Sequence, residues 1–234
     1  MASRDTKEVN VASRLMADII AESYEKALKL HARGKLLDLG CGKVPLYEAY
    51  KKYITKNICV DWESTLHKNE YLDLECDINK ELPFEQNEFD TVILSDVLEH
   101  IPEPEHLLKE ISRVLAHGGK LIMNVPFYYW IHEQPHDYYR YTEFALKRLM
   151  KNAGLVLVEF KVIGGPLEIL ADIIAKNVQS LPLVGSSLAI LAQKITYIFA
   201  KTTVGQKISN GRSELFPFGY FLVATKPGKR SMSL

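Results

Sequence analysis

Three aspartates stand at the ends of three successive short apolar runs: Asp38 in Leu36-Leu37-Asp38-Leu39, Asp61 after Cys59-Val60, and Asp77 after Cys76. Directly behind the first lies Gly40-Cys41-Gly42. Two glycines at the end of a buried strand let backbone approach a ligand closely at the carboxyl edge of a sheet. An acid about twenty residues further on, after a second strand, is placed to accept hydrogen bonds from both hydroxyls of a ribose. Trp62 offers an indole face to a purine, and Asp77 an acceptor for its amino edge. These residue types suit a nucleoside-containing cofactor. A dinucleotide fits less well: its fingerprint asks for G-x-G-x-x-G, but Pro45 occupies the third glycine position and Asp38 would oppose the phosphates.

A second group of reactive side chains follows. His100 lies in Asp96-Val97-Leu98-Glu99-His100, and Pro126–Thr142 is dense in aromatic and ionisable residues. An imidazole takes up a proton near neutral pH, so His100 and His136 are the candidate general bases. Tyr128, His132, Tyr138, Tyr139 and Arg140 are the candidate acceptor-binding residues. The string His132-Glu133-Gln134-Pro135-His136 matches H-E-x-x-H in letters. That motif works on a helix, and Pro135 breaks one. No spacing in the chain points to a metal site.

The elements that must position these groups are readable from periodicity. Val11, Leu15, Ile19, Tyr24 and Leu28 predict an amphipathic helix over about residues 9–31. Strands are predicted at 35–39, 57–60, 71–76, 89–94, 120–125, 156–163 and 220–225. Helices are predicted from Pro45 to Tyr53, from Pro104 to the Gly118-Gly119 pair, and from Thr142 to near Gly154. The alternation implies an α/β fold: a doubly wound, mostly parallel seven-stranded sheet. Residues 164–211 form an apolar insertion before the last strand, predicted as a helical hairpin turning at Leu181–Gly185.

On the motifs Leu36–Gly42, Val60-Asp61, Cys76-Asp77 and Phe89–Ile101, continuing through Leu107–Gly119 into Lys120–Pro126, the chain resembles the class I S-adenosylmethionine-dependent methyltransferases. The resemblance covers roughly residues 30–165 and the last strand. It implies a Rossmann-like methyltransferase fold with S-adenosyl-L-methionine as cofactor. It also implies a cofactor site of Asp38, Gly40, Cys41, Gly42, Asp61, Trp62, Asp77, Ile78 and Ser95. Gly40 and Gly42 would pass the methionine part, Asp61 would hold the ribose, Asp77-Ile78 would flank the adenine, and Ser95 would line the methionine side. The family usually carries a further small residue soon after the second glycine, where this chain reads Lys43-Val44-Pro45. His136–Thr142 resembles a segment of methyltransferases associated with bacterial glycan and secondary-metabolite pathways. The implied acceptor is a small molecule, glycan or lipid-linked compound, methylated at O or N.

Composition is that of an ordinary globular protein: 234 residues, 47% apolar, 25% charged, formal net charge zero. A neutral chain has no global field for nucleic acid. Three widely spaced cysteines without a CxxC pair, and a polar N-terminus without an apolar core, predict a cytoplasmic protein. The chain reads as one domain, 1–234, with an N-terminal helical segment (1–31) and the insertion (164–211). The insertion is read as a lid, a membrane-surface contact or an oligomer interface. Two other functions compete: a catalytically silent cofactor-binding partner subunit, and a membrane- or partner-docking protein.

Overall fold

Seven strands form one sheet in the order β3-β2-β1-β4-β5-β7-β6. The computed structural model describes residues 9–62 and 71–228. The strands are β1 (Lys35–Leu39), β2 (Lys56–Asp61), β3 (Leu74–Glu75), β4 (Phe89–Ser95), β5 (Leu115–Pro126), β6 (Val156–Ile163) and β7 (Gly219–Thr225). Strands β1 to β5 pair in parallel, β1 against both β2 and β4, β2 against β3, and β4 against β5. The chain order therefore reverses between β1 and β4. In an open α/β sheet, ligands bind in the crevice that such a reversal opens at the carboxyl ends of the strands.

The helices are α1 (Arg14–His31), α2 (Tyr47–Tyr50), α3 (Pro104–Val114), α4 (Glu143–Asn152), α5 (Pro166–Val178), α6 (Gly185–Ala200) and α7 (Thr203–Asn210). Two compact units divide the chain. One comprises Tyr24–Pro126, Trp130–Lys161 and the chain from Phe221 onward. Its core is built on central strands buried on both faces, so they read as continuous apolar runs rather than alternating ones. Leu36, Leu37, Phe89, Ile93, Leu94 and Ile122 are fully buried, each worth about 1.5–3 kcal/mol relative to exposure.

Several sequence expectations need correction. Helix α3 ends at Val114 rather than at the Gly118-Gly119 pair, and β5 begins at once with Leu115. Phe89 pairs Leu115 and Thr91 pairs Lys120, so five steps along β5 face two along β4. The glycines sit in this irregularity, Gly118 at φ +80°, as bulge residues rather than a helix stop. Helix α2 is one turn long, and the chain before it turns at Val44, which is held at φ +52°. Strand β3 shrinks to two residues.

The other unit comprises the described residues up to Ser23, Phe127–Tyr129 and Val162–Tyr220. Residues 164–211 fold as three helices, not a hairpin of two. Thr202 caps the third, its hydroxyl accepting from the Gly205 amide at 3.1 Å. Ala12, Ala175 and Ala189 form a small buried cluster. Charges are buried here too: Lys176 Nζ lies 2.5 Å from Asp172 Oδ2 and 3.5 Å from the centre of the Tyr129 ring. Ser209 donates to Glu168 Oε2, which also accepts from the Gly165 amide at 2.9 Å.

Candidate active site

The residues singled out at the strand ends share the carboxyl edge of the sheet. Gly40 follows β1 at φ +67°, and a Cβ there would lie 2.5 Å from Val97 Cγ2. Only glycine fits both the backbone angle and the space. The amides of Gly40 and Cys41 donate to the Val60 carbonyl at 2.8 and 3.1 Å, fixing the turn onto the end of β2. Gly42, at φ +51°, donates its amide to Asp61 Oδ2 at 3.0 Å. Glycine turn and second acid thus form one unit. Asp61 Oδ1 accepts from the Trp62 amide at 2.9 Å.

Asp38 is buried beneath this turn, accepting from the Tyr50 hydroxyl at 3.2 Å. Burial, reinforced by the charge of Asp61, pushes its carboxyl up to about 7 despite the Tyr50 hydrogen bond. Asp77 is exposed on the turn after β3. Its carboxylate accepts from the side chain and the amide of Asn79 at 2.9 and 3.1 Å, which holds it below the usual carboxylate range. Ile78 beside it is buried.

At the end of β4, Ser95 Oγ donates to Asn124 Oδ1 at 3.0 Å. The same oxygen accepts from the Tyr24 hydroxyl at 2.8 Å, and Asn124 Nδ2 donates to Asp96 Oδ1 at 2.6 Å. Asp96 adopts φ +51°, a conformation that non-glycine residues hold mainly where the surroundings enforce it. The residue reaches solvent, but its carboxyl is walled in by protein; this desolvation pushes it up to about 6, against the pull of its Asn124 hydrogen bond. Asp96, Asn124 and Tyr24 were not among the expected site residues. Asp96 was the findable one, because it follows a buried strand as Asp61 does.

The loop after Trp130 is bound to the turn after β4. Amides of Tyr138 and Tyr139 donate to the Glu99 carbonyl at 2.9 and 3.2 Å. The Tyr141 hydroxyl donates to the Leu98 carbonyl at 3.0 Å and that of Tyr139 to the Pro102 carbonyl at 2.9 Å. His100 Nδ1 lies 2.7 Å from the His136 carbonyl oxygen, so it carries the proton and donates. Arg140 clamps Asp137 through two hydrogen bonds, 2.5 and 2.8 Å, and donates to the Trp130 carbonyl at 2.9 Å. This pairing holds the Asp137 carboxyl far below the usual range. Of the expected acceptor-binding residues, Arg140 is thus engaged in building the loop, as is the hydroxyl of Tyr139. Glu133 stands at φ +51° and no helix covers residues 132–136, so the H-E-x-x-H string lacks the form a zinc protease needs. His136 meets the indole of Trp62 edge-on at 5.0 Å, with its Nδ1 3.2 Å from the Tyr138 hydroxyl. Tyr128 belongs to the other compact unit and packs near Phe216.

A family model described as a methyltransferase domain matches residues 37–123. An uncharacterized protein of Methanocaldococcus jannaschii is 29% identical over 109 residues, 46% of this chain and 53% of that protein. A demethylmenaquinone methyltransferase of Bacillus cereus is 50% identical over 42 residues, 18% of each chain. The chain therefore spans about half or less of the length of these curated relatives. Among solved structures, a SAM-dependent methyltransferase from Archaeoglobus fulgidus superposes with a TM-score of 0.60 at 14% identity, over 89% of this chain and 94% of that one. A phosphoethanolamine N-methyltransferase of Haemonchus contortus, solved with S-adenosylhomocysteine, gives 0.58 at 18% identity, over 96% of this chain and 59% of that one. Those likenesses establish the Rossmann-like methyltransferase fold. The matched segment covers the glycine turn and the ends of β1 to β4, so this part of the chain is similar to a methyltransferase domain.

Proposed function

We propose that this protein transfers a methyl group from S-adenosylmethionine to a hydroxyl on a small-molecule, glycan or lipid-linked acceptor. The observation that carries the cofactor reading is the joined unit of Gly40, Gly42 and Asp61 above the buried Asp38. A glycine turn packed tightly onto Val97 and joined to Asp61 exposes main chain at the sheet's carboxyl edge, and raised, crowded carboxyls favour a ligand that brings positive charge. The cofactor supplies a methyl carbon already activated by a sulfonium. Asp61 is proposed to hold the ribose, Asp77 and Ile78 the adenine, and Asp38, Ser95 and the backbone of Gly40–Gly42 the methionine part. The acceptor oxygen forms a bond to the methyl carbon as the carbon–sulfur bond breaks, the electron pair goes to sulfur, and the acceptor proton leaves to a base. His136 is placed in that role; the free nitrogen of His100 faces Glu99 and Glu133. Aligning the acceptor at near-attack distance and excluding water supply the rest.

Asp61→Ala removes a charge-assisted hydrogen-bond acceptor, about 1.5–3 kcal/mol. The expected result is cofactor affinity weakened about tenfold to a hundredfold, read by titration calorimetry on the folded variant. Unchanged affinity would falsify the ribose assignment.

For residues 164–211 the reading we favour is contact with an anionic membrane surface. Leu188, Leu191, Ile195 and Ile198 line one stripe of α6 and all are exposed, Ile198 at 67%. Lys194, Lys201, Lys207 and Arg212 are exposed as well, and no acid occurs between Leu181 and Ser213. An apolar stripe with basic flanks is the composition of an interfacial helix, and each basic residue near an anionic surface adds about 1 kcal/mol. No helix among the described residues is long and apolar enough to cross a membrane. The protein is expected to sediment with phosphatidylglycerol vesicles at low salt and not with phosphatidylcholine vesicles, and I195D/I198D to remain in the supernatant. Equal recovery of wild type and variant contradicts the proposal, and a wild type that stays in solution as a dimer favours an oligomer interface.

A further inference from the structure

The fold brings together three side chains that lie 33 residues apart at their extremes. Glu99 is fully buried in the turn after β4, and neither carboxylate oxygen has a hydrogen-bond partner of ordinary geometry. An unsatisfied carboxylate in such a place is costly. Its Oε1 lies 3.8 Å from His100 Nε2 and 3.9 Å from His132 Nε2. Those gaps are too long for hydrogen bonds. The two imidazoles meet edge to face, 4.7 Å apart, and one donor atom from each of the three residues lies within 4.8 Å of the others.

Both rings are held from behind. His100 donates through Nδ1 to the His136 carbonyl, so its Nε2 keeps a lone pair. His132 presents Nδ1 to Asp137 Oδ2 at 3.4 Å, and that carboxylate is itself clamped by Arg140. His100 is thus anchored through Nδ1 by a hydrogen bond, and His132 through its main-chain amide, which donates to the same Asp137 oxygen at 2.9 Å. Each Nε2 lies within 4 Å of a shared carboxylate, a polar surround of the kind that orients metal-bound histidines. Tetrahedral bonds of about 2.0–2.2 Å place ligand atoms about 3.3–3.6 Å apart, so the two carboxylate–imidazole gaps would close by about half an ångström and the two imidazoles would turn toward each other on binding.

We propose that Glu99, His100 and His132 form a binding site for one divalent transition-metal ion, with zinc the best match to two imidazoles and a carboxylate. Glu133 Oε2, 4.0 Å from His100 Nε2, is the fourth donor or the group that yields to an acceptor hydroxyl. The ion's chemistry at this place is that of a Lewis acid, lowering the pKa of a bound hydroxyl so that its proton passes to a base as the oxygen attacks. That part rests on the methyl-transfer reading; the binding of the ion does not.

The test is calorimetric titration of the chelator-treated full chain with Zn2+, and the visible absorption of the Co2+-loaded chain. One ion per chain is expected. His132→Ala and Glu99→Gln should each weaken binding about a hundredfold or more, and Asp137→Asn about tenfold to a hundredfold through its hold on the His132 main chain. Glu99→Gln keeps the size and polarity of the buried side chain, so it is also expected to fold; His132→Gln serves as a second variant with a polar side chain. Asp61→Ala should lose cofactor affinity and titrate with Zn2+ like the wild type. A chain that binds no Zn2+, or binds it equally in the His132 and Glu99 variants, overturns the proposal. If Zn2+ binds and the cofactor does not, the methyl-transfer reading fails and the site stands.

Discussion

Turnover is expected to fall by about 10²–10⁴ when His136 is replaced by Gln, with cofactor affinity nearly unchanged. The ring touches Trp62, next to the proposed ribose acid, and its Nδ1 is within reach of the Tyr138 hydroxyl. With Nδ1–H donating to that oxygen, Nε2 holds the lone pair a general base needs. Gln keeps polarity and size but takes up no proton. Its backbone carbonyl, which orients His100, is retained, so the metal titration should not move. The measurement is release of S-adenosylhomocysteine with a panel of hydroxyl-bearing acceptors. Tyr138→Phe should produce a smaller fall, because it removes the group that fixes the tautomer and leaves the base. Wild-type rates in the Gln variant would mean that the acceptor arrives without a proton to lose, as an amine does.

Cofactor affinity is expected to depend on pH through Asp38. Its carboxyl sits at about 7 in the folded protein against about 3.9 for an ordinary aspartate. A cationic ligand prefers the carboxylate, so binding below pH 7 must expel a proton. Affinity should rise about tenfold per pH unit between pH 5 and pH 7, about a hundredfold in all, and level off above. Stability runs the other way. Between about pH 4 and pH 7 the folded chain holds this proton and the unfolded chain does not. Stability therefore falls as pH rises through that window, by about 1.4 kcal/mol per unit, and is flat in this group above it. Asp38→Asn should flatten both profiles. Calorimetry across pH 5–8 and thermal melts over the same range read them; an affinity that stays level in the wild type removes Asp38 from the cofactor site.

The sheet and the glycine turn were legible because they rest on local signals. Apolar runs ending in acids and glycines state both where a strand stops and that something polar waits there. β6 was placed to the residue and β7 to within one. What stayed hidden depends on distance or on backbone angle. The carboxyl of Glu99 becomes an orphan only when β4 and the loop after Trp130 are brought together, and nothing in Leu98-Glu99-His100 separates it from a surface acid. Asn124 reads as one polar residue in a strand, yet Tyr24 from α1 and Ser95 from β4 both converge on it. Helix α7 was missed because Thr203–Asn210 is short and mostly polar, with only Val204 and Ile208 as large apolar residues; its cap at Thr202 and tight approach at Gly205 are the signals that mark it. Arg140 and Tyr139 carried the composition of a binding loop, but their polar atoms are largely engaged in holding the loop itself.

Gln193, buried within α6, bears on how modular the protein is. Its Oε1 accepts from the Leu15 amide at 2.8 Å, and its Nε2 donates to the Val11 carbonyl at 2.8 Å. One side-chain amide therefore caps the entry to α1 from a helix nearly 180 residues later in the chain. The insertion and the first helix are in this sense a single exchangeable part. Grafting residues 164–211 from another protein would strand two backbone groups at the start of α1 unless its own first helix came along. Trimming the chain up to Leu15 would remove both of the partners that Gln193 has in that segment and leave its buried amide only the Ala189 carbonyl, at 3.0 Å. Chimeras built at the obvious sequence boundaries should fail, and those that carry both ends together should fold.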